Sequence, residues 1–132
     1  MVGEKTAAVG QLFEMFNRHD VEGIADLVHP DFELHSALAA VEGTPYSGAD
    51  GLRRYFDDLE SVSARSHWKL EAVHDAGDQA VAVYHFTGVA KGSGISGDMR
   101  HAQVVTWRDG KIWRLVHFTD PAKALKAVGL SL

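Results

Sequence analysis

The chain has 132 residues, of which 45% are hydrophobic and 23% are charged, values that are typical of a folded domain and exclude disordered, collagen-like and coiled-coil chains. A net charge of −5 argues against nucleic-acid binding, and no apolar run approaches the ~20 residues of a membrane span. The absence of cysteine excludes disulfides and thiol nucleophiles. The length suits one domain over residues 1–132. Because the N-terminus lacks a signal-peptide pattern, we expect a cytoplasmic protein.

The first half of the chain is predicted to contain three helices. Apolar residues at positions 9, 12, 13 and 16 recur with helical spacing and predict the first. Asp20 is a suitable N-cap for a short second helix, which ends before the His-Pro pair at 29–30 because a residue that precedes proline avoids the α-helical region. A third helix opens after Ser47, and Tyr55 lies on its apolar stripe.

The second half is predicted to be mostly strands. Alternating segments rich in β-branched and aromatic residues lie at 67–74, 79–89, 98–107 and 111–119, after an earlier one at 32–35 and a short one around Tyr46. A short C-terminal helix has Asp120 as its cap, Pro121 in its first turn and Gly129 beyond its end. This order predicts an α+β fold in which the N-terminal helices cover one face of a curved, mostly antiparallel sheet.

Four short motifs follow one another along nearly the whole chain. They are Phe-Asn-Arg-His-Asp at 16–20, Leu-Val-His-Pro-Asp-Phe-Glu at 27–33, Ser47-Gly48 with Leu52-Arg53, and Arg-Asp-Gly-Lys-Ile at 108–112. In this order they resemble the SnoaL-like proteins of the nuclear transport factor 2-like superfamily, which includes ketosteroid isomerase and polyketide cyclase-like proteins. The resemblance implies a cone-shaped, cystatin-like α+β roll around an apolar pocket. Because that fold serves enzymes, binding proteins and dimerisation modules, it does not by itself define a function.

Two known chemistries of the superfamily lack their residues in this chain. Where the motifs match, the carboxylate base of ketosteroid isomerase falls on Ser36, its tyrosine on Leu12 and its protonated aspartate on Gln103. Limonene epoxide hydrolase has an aspartate at the position of His117, and its arginine–aspartate partner has no counterpart at 83–87. The resemblance therefore argues against steroid isomerisation and epoxide hydrolysis by those mechanisms.

The last predicted hairpin determines which side chains share the concave face of the sheet. A two-residue Asp-Gly turn places His117 opposite Ala102. A three-residue Arg-Asp-Gly turn places His117 opposite His101, and Gln103 opposite Leu115. We favour the three-residue turn, because the resemblance also places Gln103, Leu115 and His117 on the concave face. Opposed residues have Cβ atoms ~5 Å apart, so the two imidazoles could share a proton or a ligand.

A third histidine could join this pair. If the preceding hairpin turns near Ser93, His85 falls opposite His101, and three imidazoles form a row across neighbouring strands. Such a row suits zinc or iron, but no His-x-His or His-x-x-x-His spacing and no nearby carboxylate supports it. We therefore predict no metal and no cofactor, and we interpret His85 as part of the polar lining of the pocket.

The remaining pocket residues are predicted from strand alternation and aromatic character. Ser36 follows the strand at 32–35 and is expected to face the pocket. Tyr55, Trp68, Trp113 and Leu115 are expected to form its wall.

These residues favour the binding of a small, mainly apolar organic molecule. If the protein is an enzyme, proton transfer is the chemistry that they suit: isomerisation, cyclisation, dehydration or hydration. His117 would act as general acid or base, His101 would orient it or relay the proton, and Gln103 would hold a carbonyl or an oxyanion. The alternatives are a non-catalytic carrier or sensor that uses the same pocket, and a dimerisation module that fills the pocket with its own side chains.

The convex face of the predicted sheet is too apolar to be left in water. In the favoured register, it carries Ala102, Val104, Thr106, Ile112, Val116 and Phe118. Because the helices already cover the concave face, we predict a homodimer through the convex face.

Overall fold

The computed structural model describes residues 2–36, 43–94 and 96–130, and it confirms the predicted α+β fold. In chain order, the elements are helices α1 (Val2–Asn17) and α2 (Val21–Leu27), strands β1 (Val28–His35) and β2 (Tyr46–Ser47), helix α3 (Gly48–Val62), strands β3 (Ser63–Ala76), β4 (Gln79–Ala90), β5 (Ser96–Arg108) and β6 (Lys111–Phe118), and helix α4 (Pro121–Ala127). In the described ranges, no helix combines the length and the apolar character that a membrane span requires.

Side-chain caps and a glycine fix the ends of the short helices, as predicted. Asp20 Oδ1 accepts a hydrogen bond of 3.0 Å from the Gly23 amide at the start of α2. At the start of α4, Asp120 Oδ1 accepts one of 2.9 Å from the Ala122 amide. Both bonds satisfy amides that have no partner inside the helix. After α4, Gly129 adopts a φ of +83°, which glycine does at little steric cost.

The six strands form one sheet in the order β2-β1-β6-β5-β4-β3. All neighbours are antiparallel except β1 and β6, which run parallel. β3 and β5 begin earlier than predicted, at Ser63 and Ser96. The first residues of these strands are not β-branched, so the sequence gives no strand signal there. They adopt strand structure because they pair with the end of β4.

The concave face of the sheet packs against the N-terminal helices through an aromatic cluster. The Phe16 ring centroid of α1 lies 5.5 Å from that of Phe56, 5.7 Å from that of Trp68 and 6.1 Å from that of Tyr55. Tilted and edge-to-face pairs at these separations stabilise a core beyond the burial of their area. The cluster fixes α1 and α3 against β3.

The register of the last hairpin differs from both sequence-based alternatives. Asp109 and Gly110 form a two-residue turn with φ of +53° and +78°, which pairs Arg108 with Lys111. A β-bulge then inserts Trp113 opposite the junction of Thr106 and Trp107. A two-residue turn plus one extra residue shifts all later pairs by one position.

Beyond this bulge, His117 pairs with Gln103, and Leu115 pairs with Val105. The prediction that His117 lies opposite His101, with Leu115 opposite Gln103, was therefore wrong. The predicted face was right, because the bulge leaves His117 on the same concave side as Gln103 and His101.

Helix α4 covers part of the convex face. Its buried Ala124 and Leu125 belong to one apolar cluster with four strand residues, Val81, Val83, Ala102 and Val104. Val116 and Phe118 pack beside this cluster and stay half-buried. Ile112 was predicted on this face, but it lies in the concave core because the bulge follows it in the chain.

The contact between α3 and β2 leaves no room for a side chain at Gly51. A Cβ atom there would lie 2.8 Å from the carbonyl carbon of Tyr46, whereas a Cβ at Gly10 of α1 would meet nothing within 4 Å. We predict that Gly51→Ala lowers the free energy of unfolding by ~1–3 kcal/mol through overpacking. Gly10→Ala should raise it by ~0.5–1 kcal/mol, because alanine favours the helix. Urea denaturation measures both, and equal effects of the two substitutions would contradict this description of the α3–β2 contact.

Candidate functional site

A cavity of about 250 Å³ opens between α3 and the concave face of the sheet. Its lining residues are Ser36, Tyr55, Leu59, Val62, Ser63, Trp68, Tyr84, Phe86, Met99, His101, Gln103 and His117. An apolar wall with a few convergent polar groups is typical of a small-molecule site.

The structure brings most of the predicted pocket residues together at this cavity. Those that line it are Ser36, Tyr55, Trp68, His101, Gln103 and His117. The strands place them there in alternation, so that His101 and Gln103 of β5 and His117 of β6 project from one face. The predicted residues that do not line it are His85, Trp113 and Leu115.

His85 lies on the outside of the sheet, so its predicted place in the pocket was wrong. It pairs with Arg100 rather than His101, and a shift of one residue moves a side chain to the other face. Its Nε2 lies 3.1 Å from Glu71 Oε1, and its Nδ1 lies 3.2 Å from Asp98 Oδ1. The row of three imidazoles therefore does not form, and no group of three or more His, Asp or Glu in the described ranges could hold a metal ion.

Trp113 and Leu115 were also wrongly predicted to line the pocket. Trp113 is the extra residue of the bulge. Two guanidinium groups contact its ring: the Cζ atom of Arg114 lies 4.1 Å from the ring centroid, and that of Arg108 lies 5.2 Å from it. Leu115 does face the concave side, but it is fully buried in the core opposite Val105.

The two cavity histidines form a hydrogen bond, although they are not directly opposed. His117 Nε2 and His101 Nδ1 are 3.1 Å apart. The rings are nearly perpendicular, at 80°, with centroids 4.7 Å apart. One of the two nitrogens must carry the proton of this bond, because a neutral imidazole has one N–H and one acceptor nitrogen.

Burial keeps both imidazoles in the neutral form. Desolvation, together with the smaller effect of the nearby His101, lowers the pKa of His117 from 6.5 to about 4. Desolvation also lowers the pKa of His101. At neutral pH, the pair therefore carries no positive charge.

Tyr84 is a residue of the site that the sequence analysis did not identify. Its ring centroid lies 6.2 Å from that of His101, in an edge-to-face arrangement. Burial raises the pKa of Tyr84, while a hydrogen bond from Gln103 acts in the opposite direction. The alternation of Tyr84 and Phe86 along β4 would have identified both, had the β4–β5 register been known.

Comparison with known proteins gives a family and a fold. The family profile described as "SnoaL-like domain" matches residues 9–115, and the comparison with curated proteins gave no match. An NTF2-like protein from Burkholderia thailandensis E264 is 29% identical, with a TM-score of 0.72 over 87% of this chain and 89% of that chain. TerC, co-crystallised with polyporic acid, is 21% identical, with a TM-score of 0.75 over 93% and 96%.

A protein from Xanthomonas campestris pv. campestris with a provisional assignment as a polyketide cyclase has the same fold. It is 19% identical, with a TM-score of 0.70 over 94% of this chain and 96% of that chain. At such identities, the structural likeness shows the fold alone, whereas the profile match covers most of the sequence. The chain belongs to the SnoaL-like domain family.

Proposed function

We propose that the protein binds a small, mainly apolar organic molecule in the cavity and transfers a proton to or from it through His117. The observation that carries this proposal is the hydrogen bond of 3.1 Å between two neutral imidazoles in a mainly apolar cavity. Buried titratable groups with shifted pKa values are typical of functional sites. The cavity volume of about 250 Å³ argues against a module that fills the pocket with its own side chains.

The hydrogen bond gives the two histidines different roles. When His117 donates its Nε2 proton to His101 Nδ1, His117 Nδ1 keeps a lone pair and can accept a proton from the ligand. The imidazolium that forms is then stabilised, because its Nε2–H still points at His101. His101 thus acts as a positioning residue that selects the tautomer of His117.

The polar groups beside the pair suit a ligand with a carbonyl. The side-chain amide of Gln103 has two N–H donors, and one of them donates a hydrogen bond to the Tyr84 hydroxyl. The second N–H would hold a carbonyl oxygen and stabilise the negative charge that develops on it after deprotonation. Proton removal next to a carbonyl is a step in isomerisation and cyclisation, and we propose this class of reaction.

The chemistry of ketosteroid isomerase has no support in this cavity. Of the described residues that line it, none is Asp or Glu. Leu12, at the position of the isomerase tyrosine, is buried in the core and does not line the cavity.

A non-catalytic carrier or sensor is the second candidate. The pKa of about 4 favours it, because an imidazole with so low a pKa is a weak base. The same neutral pair would then only offer hydrogen bonds to a bound ligand. Turnover distinguishes the two candidates, since binding alone is common to both.

Replacement of His117 by glutamine tests its role as a base. A screen of ligands by thermal shift identifies a molecule that binds, and turnover of that molecule is then measured. We predict that His117→Gln lowers kcat by at least ~100-fold, because glutamine keeps a hydrogen bond but cannot take up a proton. His67→Gln is the matched control, because His67 is exposed and does not line the cavity.

The outcomes separate the candidates. Equal turnover by the His117→Gln and His67→Gln proteins would remove His117 from the mechanism. Binding that depends on His117 without any turnover would favour the carrier.

We also propose a homodimer through the convex face. Val116 and Phe118 stay half-buried beside α4, and a second copy would cover them in a self-complementary contact. Sedimentation equilibrium at micromolar concentration should give the mass of two chains, and the mass of one 14.4 kDa chain would contradict the proposal.

A further inference from the structure

A groove with two unpaired cations lies beside the cavity. It has a volume of about 310 Å³ and is formed by α3, the start of β3 and Lys91 directly after β4, together with His19. Leu59 and Ser63 line both the groove and the cavity, so the two spaces share a wall. The groove therefore lies within reach of a group that projects from a ligand bound in the cavity.

Arg65 and Lys91 supply the positive charge of the groove. Both side chains are exposed, and neither is in an ion pair with any residue of the described ranges. In the part of the chain that the structure describes, neither charge is therefore compensated by a carboxylate of its own. The backbone holds Lys91 close to the end of α3, because its amide donates a hydrogen bond of 3.2 Å to Val62 O.

The charges of the groove sum to about one positive charge. Its one carboxylate, Glu60, lies 3.0 Å from His19 Nδ1 through Oε1. With His19 counted as neutral, Glu60 compensates one of the charges of Arg65 and Lys91 and leaves a single positive charge. A singly charged anion would balance it, whereas a dianion would exceed it.

The rim of the mouth is apolar and exposed. Val62 is 52% exposed and Met99 is 48% exposed, and both line the cavity. Large apolar side chains at a pocket entrance are typical of a site that admits an apolar molecule. An apolar body inside and a charge at the mouth together describe an amphipathic ligand.

We propose that the ligand is an organic monoanion whose apolar body fills the cavity and whose carboxylate-type group is bound by Arg65 and Lys91 at the mouth. This inference rests on the proposed function, because it assigns the ligand class of the same cavity. Arg65 and Lys91 are then determinants of specificity and take no part in the proton transfer.

Two fluorescent probes of nearly the same shape test the inference. 1-Anilinonaphthalene-8-sulfonate carries one negative charge, and N-phenyl-1-naphthylamine is its neutral counterpart. We expect the Arg65→Gln/Lys91→Gln protein to bind the anionic probe about 5- to 10-fold more weakly, as two exposed ion pairs would give. Its affinity for the neutral probe should change less than twofold. In the unaltered protein, added salt should lower the affinity for the anionic probe and leave the affinity for the neutral probe unchanged.

Lys111→Gln/Lys123→Gln is the matched control, because it removes the same charge from exposed positions outside the groove. An equal loss in this control, no loss in the groove variant, or an equal loss for both probes would overturn the inference. Competition between a carboxylate and a phosphate ester tests which kind of anionic group the groove binds. 2-Naphthylacetate should displace the anionic probe better than 2-naphthyl phosphate does, and the reverse order would overturn the assignment to a monoanion.

A third variant separates this inference from the proposed function. Ser36→Phe fills part of the cavity and should lower the affinity for both probes. Circular dichroism verifies that this variant is folded. If the neutral probe fails to bind the unaltered protein, or binds the Ser36→Phe protein equally well, the proposed cavity site and this inference both fall. If the neutral probe behaves as expected and only the charge effects are missing, the inference falls alone.

Discussion

The extra residue in β6 determines which side chains meet in the cavity. Because Trp113 is inserted opposite Thr106 and Trp107, the side chains after it project from the opposite face to the one that an unbroken ladder would give. Without the bulge, the two-residue turn at Asp109 and Gly110 would direct His117 to the convex side. The position of the histidine pair therefore depends on one bulge, which lies about four residues before His117 in β6.

Several contacts hold this bulge in place. The Trp113 ring contacts the guanidinium groups of Arg108 and Arg114, and Arg114 Nε lies 3.3 Å from Glu33 Oε1 on β1. On the partner strand, the Trp107 amide donates a hydrogen bond of 3.0 Å to Asp78 O. Cation–π contacts and an interstrand ion pair are weak one by one, but here they act on the same residues.

Burial then sets the chemistry of the pair. An imidazolium in this cavity would lose the water that stabilises its charge, which is why the pKa of His117 falls to about 4. The cost of desolvation makes the pair neutral in the empty cavity. A ligand that develops negative charge beside it, or that is already anionic at the mouth, would make protonation of His117 easier.

The sequence predicted the order of the elements because periodicity, caps and turn residues are local signals. Asp20 and Asp120 cap their helices as expected, and His101, Gln103 and His117 share a face. The pairing of strands is not local, and the sequence misjudged it twice. A glycine-rich turn after β4 placed Tyr84, rather than His85, beside His101. The bulge at Trp113 left no pattern in the sequence, because its stabilising contacts come from β1 and from the end of β5.

The proposal that His117 is a neutral base can be tested by nuclear magnetic resonance titration of the histidine ring nitrogens. This titration measures both the tautomer and the pKa of His117 in the folded protein. We expect a neutral ring with its proton on Nε2 at pH 7, and a charge that appears only as the pH falls toward about 4. A His117 ring that titrates near 6.5 or above, or that carries its proton on Nδ1 at pH 7, would contradict it.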